Sequence, residues 1–291
     1  MSSDSASNSS AVQPIKPENF VKANVRIEPC QWSTFGDSKT PYGRANIKYA
    51  TTTADGKTVL QPLILLGPPM NTYGVGDNID EKSKEVTGHS VCFNLPKADP
   101  VKGAHPFEKA MLDIHSACCE YLCQNAQGCG LDPSTIDTPQ SARVLLKCPA
   151  EYPKNKETKK VETNKPRRMY AKLEEYKASG TRPGKMVTIF DDATSYNPTT
   201  GRMERELDPL TVRTNVELIP SVHITGIYFG SRPSIQIKLA RAAVTRLIEA
   251  NNVAACDDYV KGYLETMGLT PGAGGLAAEA AAASSDPAAM L

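Results

Sequence analysis

Short runs that alternate polar and apolar residues follow one another from Ala45 to Leu239, and one long stretch among them keeps helical periodicity. Ala45–Thr53 (ANIKYATTT) alternates and is rich in β-forming residues. The Asp55-Gly56 turn then leads into Thr58–Leu66, which predicts a hairpin. Pro62 marks the second arm as an edge or bulged strand, because proline donates nothing to a ladder. Further strands are predicted over His89–Leu95, Ala142–Cys148, Arg168–Leu173, Lys185–Phe190, Val212–Leu218, His223–Phe229 and Ser234–Leu239. Neither a repeat period nor the α/β alternation that builds parallel sheets is present.

The helical stretch runs from His105 to Asn125, with Phe107, Ala110, Met111, Ile114, Cys118, Tyr121 and Leu122 at helical spacing. Pro106 falls in its first turn and Gly128 follows its end. A second helix is predicted over Asp257–Met267, with Tyr259, Val260, Tyr263, Leu264 and Met267 on one face and Gly268 closing it. About ten short strands around one internal helix define a mainly β chain of α+β class. An antiparallel barrel of the oligonucleotide-binding (OB) type, elaborated by the inserted helix, fits that description, and so does a small jelly roll.

The ordered part is bounded by composition. Residues 1–17 begin MSSDSASNSS and predict a disordered N-terminal tail, and 269–291, nearly all Ala, Gly, Ser and Pro, predict a second. One domain over 18–268 remains. No run approaches about eighteen apolar residues and the N-terminus lacks the basic and apolar regions of a secretory signal, so a soluble, intracellular chain is expected. The 8 cysteines then read as reduced thiols rather than a disulfide set.

Searches for chemistry return little. His115, Cys118, Cys119 and Cys123 share the helix, but no CxxC turn accompanies them, and Cys118 lies on the apolar stripe, so a core helix is favoured over zinc. The other histidines, His89, His105 and His223, stand without a GxSxG elbow or an HExxH motif. Asp191-Asp192 reads as a turn cap before a metal pair, and Tyr73-Gly74-Val75-Gly76 before Asp77 reads as a turn rather than a phosphate loop. No enzyme, cofactor or metal is expected.

Charge is more informative once it is divided along the chain. The formal net charge is +1, yet residues 147–185 hold 12 basic and 5 acidic residues. Lys154, Lys156, Lys159, Lys160, Lys165, Arg167 and Arg168 crowd the loop at 149–167 and its exit, with Tyr152, Tyr170 and Tyr176 flanking or punctuating the run. Mobile cations beside a sheet face bearing aromatics suit a single-stranded nucleic acid: cations neutralise phosphates and rings stack on bases of any sequence. Composition alone suits a solvated, disordered loop equally well. If Arg168–Leu173 is a strand, Tyr170 shares a face with Arg168 and Lys172. Trp32, Phe35 and Tyr42, near Arg44, form a second aromatic and basic patch or a loop packed on the core.

The order of these features also resembles a known family. The hairpin around NIKYATTT, the strand with CFNLPK, a helix, ARVLLKC, a lysine-rich loop closing on PRRMYAKL, and the pair SVHITGIYFG–RPSIQIKLARAAV resemble the OB-fold single-stranded DNA-binding proteins of nucleocytoplasmic large DNA viruses, of the African swine fever virus type. The resemblance covers roughly residues 20–250 and leaves the Ala-rich C-terminal tail unmatched. It implies sequence-nonspecific binding of single-stranded DNA in replication, recombination or repair, and leaves open whether RNA competes. It also implies residence in the host nucleus, a cytoplasmic virus factory or the virion, and self-association or replication-protein contacts through the tails. The alternative class is a virion structural or scaffolding protein with a jelly-roll-like module.

Overall fold

The computed structural model describes residues 12–35, 40–53, 55–99, 103–176 and 183–247. Its strands in chain order are β1 (Val25–Ile27), β2 (Gln31–Phe35), β3 (Thr40–Thr52), β4 (Thr58–Leu66), β5 (Met70–Ile79), β6 (Val86–Asn94), β7 (Arg168–Leu173), β8 (Glu175–Tyr176) and β9 (Lys185–Met186). They continue with β10 (Ile189–Asp192), β11 (Tyr196–Asn197), β12 (Arg202–Met203), β13 (Glu206–Leu207), β14 (Val216–Phe229) and β15 (Ser234–Leu247). Two α-helices, α1 (Pro106–Asn125) and α2 (Pro139–Leu145), lie between β6 and β7. The predicted helix over Asp257–Met267 and the predicted C-terminal tail lie outside the described residues.

The sheet closes on itself. β14 pairs with β5, β5 with β6, β6 with β7, β7 with β15 and β15 with β14, giving a five-stranded barrel. The 14-residue β14 is the spine. One edge runs along β15, and the other meets β3, β4 and β5 in succession. Inward residues of every barrel strand, including Val75, Phe93, Met169, Ala171, Val222, Ile224 and Leu239, form one core with Phe107, Met111, Ile114, Cys118 and Leu122 of α1. The helix therefore forms for the reason its periodicity suggested: one apolar stripe has a barrel to cover.

Several expectations need correction. The barrel is not wholly antiparallel, because β7 runs parallel to β15, as does β10 beside it in the sheet. Ala142–Cys148 is not a strand. Thr138 and Ser141 form a capping box, Pro139 sits in the first turn, and Ala142 and Leu146 are buried one turn apart, so α2 forms there. The Tyr73–Gly76 stretch is part of β5, where Gly74 at φ +81° sits in a bulge facing the 212–214 backbone. Val212–Leu218 becomes a strand only from Val216, after a 3₁₀ turn at Pro209–Thr211. Pro220 does not end β14, because its non-donating nitrogen falls in the gap between the β5 and β4 ladders. The predicted N-terminal tail is described only from residue 12, and there Ile15 is paired: it donates to Ile64 O at 2.7 Å and accepts from Leu66 N at 3.0 Å. No helix among the described residues is long and apolar enough to cross a membrane.

Candidate nucleic-acid interface

The basic segment is not a mobile loop. Glu151 and Arg168 exchange backbone hydrogen bonds at 3.1 and 2.7 Å, and Lys154 bridges Val161. The Asn155 side-chain oxygen accepts from the amides of Glu157 and Thr158 at 2.9 Å each, folding the tip into an Asx-type turn. Lys159 completes it at φ 58°. Lys147–Glu151 wedges between β7 and β15, which pair only at Lys172/Lys238 and Leu173/Leu239; Lys147 bridges Ser234 on one side and Glu151 bridges Arg168 on the other.

An open groove of about 570 Å³ lies over that wedge. Lys147, Lys154, Arg168 and Arg232 supply cations, Glu151 is the one acid, and Tyr152 and Tyr170 supply rings. A second depression of about 340 Å³ shares Pro153, Lys154 and Arg168 with it and continues along the hairpin past Lys156 and Lys165. Strand β7 alternates as expected: Met169, Ala171 and Leu173 are buried, while Tyr170 and Lys172 are exposed, with Arg168 half-buried on the same outer face. Tyr170 is 58% exposed although it lies mid-strand. Its cross-strand neighbour is Cys92, and the contact with that thiol, with some burial, raises the Tyr170 pKa. The phenol is thus neutral at physiological pH, a polarisable face with no charge to repel a phosphate.

The predicted site residues divide. Lys154, Lys156, Lys159 and Lys160 are exposed and take no carboxylate partner among the described residues, whereas Lys165 pairs with Glu162 at 2.9 Å. Arg167 is turned away from the groove: its Nε lies 2.9 Å from Oε1 of the buried Glu108, Nη1 donates to Ala150 O at 3.2 Å, and the guanidinium sits 4.4 Å from the Tyr152 ring centroid. The Nε–H is not aimed at an acceptor, so the Glu108 contact is an ion pair without a well-formed hydrogen bond. Arg167 therefore clamps the hairpin to α1 and covers one face of Tyr152.

The second patch is split by strand alternation. Trp32 lies opposite Gly43 and Arg44 opposite Gln31, so the two side chains leave β2–β3 on opposite sides. Trp32 packs near Phe229 at 6.4 Å and donates Nε1–H to Gly128 O at 3.1 Å. Gly130 at φ +66° leaves room for the indole; a Cβ there would stand 2.7 Å from the ring. Trp32 thus pins the end of α1, while Tyr42 and Arg44 lie on the other face of the β2–β3 ladder. Sequence reasoning missed Arg232, which is held at the rim by donating to Leu145 O and Val144 O at 2.9 Å each. Its only signal was an arginine in the turn joining two strong strands.

The remaining candidates have structural occupations. His115 Nε2 lies 3.0 Å from Leu146 O, burial raises the Cys118 and Cys148 thiols and pushes Cys119 to about 11, and the seven described cysteines are free. Among the described residues no group of three or more His, Cys, Asp or Glu side chains is arranged for a metal. Asp192 accepts from Thr194 N at 2.9 Å to cap a 3₁₀ turn and pairs with Arg205; Asp191, buried, is held by Nε and Nη2 of Arg241, one on each carboxylate oxygen. His89 lies between Glu175 at 2.9 Å and Asp77 at 3.5 Å.

No curated protein and no solved structure matches the chain. One family model does, the proteins of unknown function grouped as DUF2738, over residues 27–255. That span takes in the barrel, both helices and the basic hairpin, and the chain belongs to this family.

Proposed function

We propose that this is a single-stranded DNA-binding protein of a large DNA virus that engages its strand without sequence preference, in genome replication, recombination or repair. The observation that carries the reading is the groove. Tyr170 stands exposed between Arg168 and Lys172 on a strand whose other face is core, and the unpaired lysines of an ordered hairpin continue from it. Rings of this kind stack on bases of any sequence, and the surrounding cations neutralise phosphates.

The connectivity supports the OB class of barrel. Numbered in chain order, the barrel strands β5, β6, β7, β14 and β15 run round the ring as 1-2-3-5-4, a Greek-key arrangement with one parallel pair. In such barrels the ligand face lies on the second and third strands and on the loops joining the first to the second and the fourth to the fifth. Here those are β6, β7 and two turns, the latter of which carries Arg232.

The test is Tyr170→Ala, assayed by anisotropy with a labelled dT oligomer. Loss of one stacked base costs about 1–3 kcal/mol of binding, while the salt slope stays constant because stacking releases no counterions. An exposed ring contributes little to the core, so the melting temperature holds. A variant that binds normally and melts early would make Tyr170 a structural residue and sink this reading of the groove.

A further inference from the structure

We propose that the strand-binding track continues beyond the groove, across the outer faces of β15 and β14 onto β3, where Arg44, Lys48 and His223 form a second phosphate-contact cluster. This rests on the groove reading and extends it. The path follows from register. Lys172 on β7 lies opposite Lys238 on β15, Lys238 lies opposite His223 on β14, and Tyr228 on β14 lies opposite Arg44 on β3. Strand neighbours are about 4.8 Å apart, so two such steps carry the track about 10 Å from Lys172 to His223, and Arg44 lies one strand further and along β14 at the level of Tyr228. The far end holds a second aromatic feature: Tyr42 and Tyr228 stack at 5.8 Å with 24° between their planes.

Charge along this path is offset at Lys238 but not at its far end. Lys238 is met by Glu174 at 2.8 Å, and Glu28 accepts from the Asn46 amide at 2.8 Å. Arg44 is exposed and Lys48 half-buried, and neither takes an ion-pair partner among the described residues. Two cations on a sheet face that take no ion-pair partner among the described residues are arranged to receive an anion from outside. His223 sits in their midst. Burial lowers its pKa, Glu174 acts to raise it, and Lys238, Lys48 and Arg44 act to lower it, while Ile64 of β4 lies opposite it. An arriving phosphate adds negative charge and favours the imidazolium. Binding over this cluster therefore takes up a proton when the pH lies between the free and bound pKa values, and affinity rises as pH falls through the ordinary histidine range.

The experiment compares labelled dT oligomers of about 5 and about 20 nucleotides, which bracket most of the usual range for one barrel of this class. The protein is the full chain, native and with Arg44→Ala/Lys48→Ala, His223→Gln or Tyr170→Ala. In the native protein the longer oligomer binds more tightly, and increasingly so below neutral pH. The double variant loses at least about tenfold of that gain at ~0.1 M salt, and its salt slope for the long oligomer falls by about 0.7 per lost contact. His223→Gln removes the pH dependence of the gain. A double variant that keeps the whole gain and its slope overturns the extension, while Tyr170-dependent binding of both oligomers would leave the groove standing. Absence of binding by either oligomer would instead bring down the groove reading and this extension together.

Discussion

Glutamine in place of Lys154, Lys156, Lys159 and Lys160 is expected to weaken oligonucleotide binding by about 10²- to 10³-fold at ~0.1 M salt. These lysines carry no carboxylate partner among the described residues, so their charge is free to displace counterions from a strand. Each lost contact lowers the salt slope by about 0.7, about 2.8 for the set. Stability is expected to hold. The hairpin is organised by backbone pairing between Lys154 and Val161 and by Asn155, none of which depends on a lysine side chain. Glutamine also meets the left-handed backbone at position 159 on the same terms as lysine. Unchanged binding, with the fold intact by circular dichroism, would move the interface elsewhere.

Arg167→Ala is expected to do the reverse: cost about 3 kcal/mol of stability and leave the salt slope nearly unchanged. Glu108 is 7% exposed, so removing its partner strands a carboxylate inside the junction of α1 and the hairpin. The cation–π contact with Tyr152 is lost as well, worth about 0.5–1 kcal/mol. Denaturant unfolding would read the loss, and the pair Arg167→Met with Glu108→Met is expected to recover most of it, because no charge then remains buried. A slope that falls while stability holds would return Arg167 to the interface.

The contrast between the lysines and Arg167 indicates where the sequence was legible. Strands with clean alternation, such as Arg168–Leu173, revealed both their extent and the outward face of Tyr170, because one face had to be core. The cation cluster was visible from composition, but which cations remained free depended on acids distant in sequence, as with Glu108 and Arg167 at 2.9 Å. Trp32 and Arg44 were grouped by proximity along the chain; the β2–β3 ladder turns them to opposite faces. α2 was misread because its β-branched and leucine residues resemble a strand, although Thr138, Pro139 and Ser141 already carried a helix start. The parallel pairing of β7 with β15 joins segments more than sixty residues apart, and no local pattern encodes it. The Lys172–Lys238–His223 row was invisible for the same reason.

The groove's preference for single strands is tested most directly by competition. A labelled dT oligomer of about 20 nucleotides is bound to the full chain and displaced by unlabelled single strand or by duplex of equal length, at salt from about 50 to 200 mM. A groove that stacks bases on Tyr170 and holds phosphates with the hairpin lysines favours the single strand by at least about tenfold, since duplex offers no ring faces, and loses affinity steeply as salt rises. Equal displacement by duplex, or affinity indifferent to salt, would contradict it.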